Sequence, residues 1–225
     1  MGFQAAVLGL SLLPGFVWLF FFFEEDDHPE PKRLVALVFI VGMVSAIIVA
    51  FIGLLLKDYF FGSMTDLSLP YLAMASTLEE LGKFVLVALF VRHMRAFDEP
   101  VDAMIYMVVG ALGFATLENV AYLSQEASRN QLLTSVAQIA SLRFVGSTLL
   151  HALCSGIVGY FWALSIRHFH RPEYILLGLF LASGLHTYFN YLIITYGSMF
   201  FVLPLLLVAG FFVLSDFEEL KWRAV

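Results

Sequence analysis

The sequence predicts an all-α membrane protein, a polytopic bundle of about seven transmembrane helices with the N-terminus outside and the C-terminus inside. Of its 225 residues, 61% are hydrophobic and 13% are charged, whereas soluble domains are about half apolar and about a quarter charged. Seven stretches reach or approach the roughly 20 apolar residues that cross a bilayer. This composition excludes a soluble enzyme, a disordered chain and a disulfide-rich secreted scaffold.

The seven predicted spans are residues 3–23, 34–56, 70–91, 103–124, 139–165, 174–196 and 198–214. The first span has neither the positive leader nor the small-residue cleavage site of a signal peptide, so we expect it to be retained as a helix. Gly197 alone separates the last two spans. All linkers are short, so residues 1–225 are predicted to form a single membrane domain whose polar motifs lie between about 70 and 196.

Basic residues set the predicted orientation, because cytoplasmic loops carry the excess of Lys and Arg. Eight of them fall in linkers 24–33, 92–102 and 167–173 or in the C-terminal tail. Only Lys57, Arg129 and Arg143 lie in or beside the other linkers. The net charge of −6 offers no basic stripe for nucleic acid, and the single cysteine excludes an internal disulfide.

Six ionisable residues interrupt the predicted spans away from their ends. One charged side chain at the bilayer centre costs roughly 2.5–3.5 kcal/mol on insertion scales, so these groups must face one another or a water-filled cavity. They are Glu79, Glu80, Lys83, Glu118, His151 and His186.

Their predicted depths agree with one another. At about 1.5 Å per residue, Glu79 and Glu80 lie about 14 Å below the outer face and Glu118 lies about 9 Å below it. His186 lies about 15 Å from the outer end of its span, and His151 lies at a similar depth from the outer end of its own span. We therefore predict one polar cavity in the outer half of the membrane, open to the extracytoplasmic side.

Local spacing relates these residues to one another. Lys83 follows Glu79 by four residues and Glu80 by three, so it can reach either carboxylate. Adjacent helical residues point about 100° apart. One glutamate is therefore expected to do chemistry while the other pairs with Lys83 or a neighbouring helix, and the spacing leaves open which is which.

Four motifs resemble those of the PrsW-type intramembrane proteases. LEELGK at 78–83 is similar to the EExxK motif of that family, and GFATLENVAYL at 113–123 to its FxxxEN block, with Phe114, Glu118 and Asn119. HALCSGIVGYFWAL at 151–164 resembles its histidine–glycine block. GLHTYFN at 184–190 resembles its last block, with Asn190 where some members carry Asp. The four blocks occur in the family's order.

The resemblance implies site-1 cleavage of a single-span membrane protein, typically an anti-sigma factor, on its extracytoplasmic side in a bacterial cell membrane. It leaves the oligomeric state open. CAAX prenyl proteases are distant relatives of this family with EExxxR, FxxxH and HxxxN motifs. The chain departs from them at Lys83, at Glu118 in the histidine position and in the additional His151. Prenyl-protein processing is therefore the second reading.

Two mechanisms fit these residues. In the metal version, His151, His186 and Glu118 hold Zn²⁺, because two histidines and a carboxylate form a common catalytic zinc site. Glu79 or Glu80 is then the general base, and Asn119 or Asn190 orients ligands or binds the oxyanion. In the metal-free version, Glu79 or Glu80 activates water with help from Glu118 or a histidine, and His186 and Asn190 hold the oxyanion. We favour the metal version because the site is rich in ligands; Lys83, Phe114 and Asn119 are supporting residues.

A transporter or proton pathway also uses buried Glu, Lys and His residues. Such proteins usually show repeated halves or broken helices, and the sequence has no such repeat. A protease therefore remains the first prediction and a polar-cavity transporter the alternative from another class.

Overall fold

The computed structural model describes residues 2–23, 30–62, 68–130 and 132–222. Within these ranges the chain forms eight α-helices and no strand. The helices are α1 (Gly2–Phe23), α2 (Lys32–Leu56), α3 (Leu69–Val91), α4 (Asp102–Asn130), α5 (Leu133–Arg143), α6 (Leu149–Arg167), α7 (Pro172–Tyr196) and α8 (Met199–Trp222). One π-helical turn, Lys57–Phe61, extends α2, and another, Phe144–Thr148, joins α5 to α6.

The prediction of an all-α polytopic membrane bundle is confirmed. Six helical stretches in the described residues are long and apolar enough to cross a membrane, namely Gly2–Phe22, Lys32–Phe61, Asp102–Arg129, Leu133–Arg167, Pro172–Tyr196 and Met199–Leu220. The third predicted span corresponds to α3, which has 23 residues but carries Glu79, Glu80 and Lys83. The orientation of the bundle stays a prediction.

Two predicted boundaries are wrong. The fourth linker was expected at 125–138, but α4 continues to Asn130 and α5 begins at Leu133. Residues 125–130 are mostly polar but contain neither Gly nor Pro, so none of them is a strong helix breaker. The fifth span was expected to begin at 139, but the helical path runs from Leu133 to Arg167. The first two predicted linkers lie partly outside the described residues.

Helix α4 forms the centre of the bundle. Every residue from Val101 to Thr116 is buried, whereas α1, α2 and α8 expose many large apolar side chains, as expected for helices that face lipid. The fully covered stretch of α4 ends at Thr116, and Glu118, which follows shortly after, is only partly buried.

Glycines allow α4 to approach its neighbours closely. A Cβ added at Gly42 would overlap the carbonyl oxygen of Gly110, and one at Gly113 would overlap that of Phe39. These two crossings bring the backbones of α2 and α4 together, as small residues do in membrane helix pairs. Since the crossing includes Gly113, it fixes the rotation of α4 just before its polar residues.

The junction between α7 and α8 depends on Gly197. Its φ of 62° is the left-handed conformation that glycine adopts without steric cost, and its amide donates to the carbonyl of Ile193. The chain reverses here, so α8 begins two residues later at Met199. The sequence prediction that Gly197 separates the last two spans is therefore confirmed.

Candidate active site

Helix α3 carries a charge pair that is completely buried. The Nζ atom of Lys83 donates to Oε1 of Glu80 over 2.6 Å, and neither side chain has any exposed surface. Ser155 on α6 donates to the other carboxylate oxygen of Glu80 over 3.5 Å. As expected from the spacing, Lys83 pairs with one of the two adjacent glutamates, and its partner is Glu80.

His186 on α7 connects the two glutamates. Its Nδ1 lies 2.8 Å from Oε1 of Glu80, and its Nε2 lies 3.7 Å from Oε2 of Glu79. A carboxylate accepts a hydrogen bond, so Nδ1 of His186 carries the proton that it donates to Glu80. This is how carboxylate partners orient histidines that bind metals.

Glu79 differs from Glu80 in having an oxygen without a partner. Its side chain is 22% exposed, yet its Oε2 atom is buried and accepts no hydrogen bond from any residue in the described ranges. A buried polar atom without a partner is costly and needs an explanation. A ligand, ion or water bound beside Glu79 would supply that partner.

Both ring nitrogens of His151, on α6, have a polar neighbour. Its Nδ1 lies 3.1 Å from Nζ of Lys83, and its Nε2 lies 3.0 Å from Oε2 of Glu118. Since an ammonium group only donates, Nδ1 accepts from Lys83 and the Nε2 proton points to Glu118. The aromatic ring of Phe114 packs against His151, with 5.3 Å between ring centroids, and lies 5.1 Å from Nζ of Lys83.

Arg143 is a site residue that the sequence analysis missed. Its NH2 atom donates to Oε2 of Glu118 over 2.8 Å, and its Nε donates to Oδ1 of Asn119 over 2.6 Å. The guanidinium also reaches Ser147 and lies over the ring of Tyr122. The count of basic residues treats Arg143 only as a charge beside a linker. The four-residue spacing of Arg143, Ser147 and His151 was the signal that they share a helix face.

The two asparagines have different surroundings. Asn119 is buried, accepts from Arg143 and donates to Oγ1 of Thr148 over 3.0 Å. Asn190 is half-buried and its amide makes a long 3.4 Å contact with Oγ of Ser76. Of the two, Asn190 lines the cavity described below, and Asn119 lies behind Arg143.

These side chains surround a cavity of about 290 Å³ between α3, α4, α5, α6 and α7. Its polar wall consists of Glu79, Glu118, Arg143, Ser147, His151, His186 and Asn190. Its apolar wall includes Ile139, Leu142, Phe189, Ile193 and Met199. Glu80 and Lys83 do not line it. A cavity that combines an apolar lining with several polar groups is typical of substrate sites.

Two groups of donor atoms in the described residues are close enough to hold a metal ion. One atom each from Glu79, His151 and His186 lie within 4.8 Å of one another, and the same is true of Glu80, Cys154 and His186. The first group lines the cavity. In the second, Glu80 is already occupied by Lys83, and Cys154 is completely buried. Glu118 contacts His151 but belongs to neither group.

A family model described as PrsW family intramembrane metalloprotease matches residues 30–215. The chain belongs to the PrsW family. Protease PrsW of Bacillus subtilis (strain 168) is 25% identical over 222 residues, which cover 96% of each chain. Protease PrsW of Geobacillus kaustophilus (strain HTA426) is 27% identical over 191 residues, or 84% of this chain and 80% of that protein.

Protease PrsW of Clostridioides difficile (strain 630) is 28% identical over 189 residues, or 82% of this chain and 77% of that protein. No solved structure gives a significant match. The family resemblance stated from four motifs is thus confirmed. This PrsW-family chain is an intramembrane peptidase, a multi-pass protein of the bacterial cell membrane that acts on a membrane-embedded protein.

Proposed function

We propose that this chain makes the first cut in a single-span membrane protein, near the outer face of the membrane, and that its substrate is of the anti-sigma-factor type. The observation that carries the proposal is the open carboxylate of Glu79. Its Oε2 atom is buried without a hydrogen-bond partner among the described residues and faces Nε2 of His186. A carboxylate left free beside satisfied neighbours is available to whatever binds in the cavity.

The position of the cavity supports cleavage on the outer side. Gly197 and Met199, at the junction of α7 and α8, belong to its lining. The distribution of basic residues predicts that this junction lies outside the cell. The linkers predicted to be cytoplasmic, 92–102 and 167–173, contribute none of the lining residues. A substrate segment therefore has a path from the outer face to Glu79.

Peptide hydrolysis needs an activated water, a stabilised oxyanion and a proton for the leaving amine. We assign proton transfer to Glu118, which accepts a proton from the attacking water and gives it to the nitrogen as the C–N bond breaks. Arg143 holds this carboxylate in place through a 2.8 Å hydrogen bond. The amide of Asn190 donates to the developing oxyanion. Phe189 and Ile193 accommodate an apolar side chain of the substrate next to the scissile bond.

The donor set fits a metal ion, as the family description implies. We propose that Glu79, His151 and His186 hold it. Oε2 of Glu79 and Nε2 of His186 lie 3.7 Å apart, and carboxylate oxygens and imidazole nitrogens are ordinary ligands of zinc. When bound, the ion would act as a Lewis acid towards water and the scissile carbonyl. To bind the ion through Nε2, His151 would need its proton on Nδ1. Lys83 would then give up its hydrogen bond to His151 and retain its ion pair with Glu80.

The ligand set predicted from sequence contained Glu118 in place of Glu79. Glu79 and Glu118 line the same cavity, so either carboxylate could be the metal ligand while the other transfers the proton. If Glu118 is the ligand, Glu79 becomes the proton acceptor. The grouping of donor atoms favours Glu79 as the ligand.

Cleavage can be tested with tagged single-span reporters whose short outer juxtamembrane segment is randomised. Co-expression with the wild-type chain should yield a membrane-bound fragment, and the Glu79→Gln variant should yield none. The matched control is Glu173→Gln, an exposed glutamate at the start of α7, which should cleave normally. If Glu79→Gln cleaves as well as the wild type, the proposed site is wrong.

Elemental analysis of detergent-purified protein, prepared without chelators, tests the metal assignment. We expect about one zinc ion per chain in the wild type, loss in His186→Ala and Glu79→Gln, and retention in Glu118→Gln. Loss in Glu118→Gln with retention in Glu79→Gln would assign the ligand role to Glu118. No metal in active wild-type protein would overturn the metal assignment and leave the metal-free reaction.

A further inference from the structure

A second cavity of about 480 Å³ lies between α3 and α6, away from the active site. It occupies the end of the bundle that the basic residues predict to be cytoplasmic. Its apolar wall includes Phe84 and Leu89 on α3 and Trp162 and Ile166 on α6. Leu89 is 53% exposed, so the groove opens on a lipid-facing side of the bundle.

The floor of this groove is preformed by aromatic packing. Trp162 stacks on Phe97, with ring centroids 5.0 Å apart and an interplanar angle of 26°. It also meets the edge of Phe84 at a centroid distance of 5.6 Å. Aromatic pairs in these geometries stabilise each other beyond simple burial. The groove is therefore a stable concave surface suited to an acyl chain.

Two basic side chains stand at the mouth of the groove. Arg92 and His170 line it, both are exposed, and neither side chain has a hydrogen bond or ion pair with any other described residue. No carboxylate is among the lining residues of the groove that the structure describes. The mouth therefore carries the positive charge of Arg92, and the hydrogen-bond donors of both side chains have no partner among the described residues.

The backbone that presents His170 is strained. Phe169 and His170 have φ angles of 60° and 57°, the left-handed conformation that L residues rarely adopt. The amide of His170 donates to the carbonyl of Ser165 over 2.7 Å, which fixes this turn after α6. Strained backbone of this kind is concentrated where a side chain must be held in place for binding.

We propose that this groove binds one anionic phospholipid from the cytoplasmic leaflet. An acyl chain lies along Phe84, Leu89 and Trp162, and the phosphate is bound by Arg92 and His170. Basic pockets between transmembrane helices on the cytoplasmic side recognise anionic headgroups in this way. An anionic headgroup fits the mouth better than a zwitterionic one, because a choline cation would lie beside Arg92.

Fluorescence quenching of Trp162 provides the test. The chain has three tryptophans, so Trp18→Phe with Trp222→Phe leaves Trp162 as the reporter. In phosphatidylcholine vesicles, brominated phosphatidylglycerol should quench Trp162 at about fivefold lower mole fraction than brominated phosphatidylcholine, the ratio expected from roughly one basic contact. Unbrominated phosphatidylglycerol should reverse the quenching, whereas inorganic phosphate should not.

Arg92→Gln with His170→Gln should remove this preference, and Arg95→Gln, an exposed basic residue of the same connection, should retain it. Equal quenching by both lipids in the reporter protein would overturn the proposal, as would a preference that survives loss of Arg92 and His170. Thermal unfolding of the unmutated protein gives a second measurement. Phosphatidylglycerol should raise its Tm above that in phosphatidylcholine, and no difference would also count against the site.

Discussion

Glu79 and Glu80 are neighbours in the chain but belong to two different regions of the molecule. Glu80 lies in a closed polar cluster with Lys83, Ser155 and Nδ1 of His186, and none of its surface is exposed. Glu79 lies on the wall of the cavity with one oxygen unsatisfied. The closed cluster connects α3, α6 and α7, whereas the Glu79 carboxylate on the cavity wall is available to a bound substrate or ion.

Replacing each carboxylate by an amide separates the two regions most clearly. Glu79→Gln should lower cleavage at least about 1,000-fold, the scale of losing an essential acid–base or ligand group, while the Tm stays within a few degrees. Glu80→Gln should lower both cleavage and Tm, because it leaves Lys83 buried without its anion. Reporter cleavage and thermal unfolding of the same preparations measure this, and equal Tm losses would contradict the distinction.

Removing the cation from the closed cluster should cost stability. Lys83→Met leaves Glu80 as an uncompensated buried charge, a change that typically costs about 3–5 kcal/mol. The double variant Glu80→Gln with Lys83→Met should recover most of that loss, because neither half of the buried charge pair remains. Denaturant unfolding in mixed micelles gives the free energies. A double variant less stable than Lys83→Met alone would contradict the role assigned to this pair.

Arg143 acts on the cavity wall without touching the closed cluster. Arg143→Gln should lower kcat about 10- to 100-fold, because Glu118 loses a charge-assisted hydrogen bond, worth about 1.5–3 kcal/mol. Arg143→Lys should recover part of this, since a lysine can contact Glu118 but not Asn119 at the same time. Arg129→Gln, at an exposed position in the last turn of α4, is the control. A change confined to KM would assign Arg143 to substrate binding instead.

Ser155 should matter least. Its hydroxyl donates to Glu80 over 3.5 Å, the longest hydrogen bond in the closed cluster. Ser155→Ala should therefore change the free energy of unfolding by no more than about 1 kcal/mol and leave cleavage near the wild-type rate. A loss as large as that of Lys83→Met would mean that the hydroxyl, and not the charge pair, holds the cluster together.

Much of the site was predictable because charges inside a membrane are costly. That cost alone predicts that Glu79, Glu80, Lys83, Glu118 and the two histidines lie close together, and in the structure they do. It does not specify which side of each helix faces the cavity. The rotation of α3 is set by packing against α2 and α7, so the sequence left open whether Glu79 or Glu80 faces outward.

Arg143 illustrates a different limit. Charge counting assigns a basic residue near the end of a span to a linker. The predicted position of the fourth linker is wrong because polar residues alone do not end a helix. The donor grouping of Glu79 with His151 and His186 was beyond sequence reasoning as well, since the three ligands come from three helices and share no local spacing. The lengths of the apolar helices and their order along the chain were predictable because they depend on local composition.

The π turn at Phe144–Thr148 sets the register between α5 and α6. A π turn holds one residue more than the α-helical turn it replaces. If the same residues continued as an ordinary α-helix, the additional residue would turn α5 by about 100° relative to α6. Arg143 would then point away from Glu118 while His151 stayed in place. The direction of the Arg143 guanidinium therefore depends on the π turn between α5 and α6 as well as on the residue type.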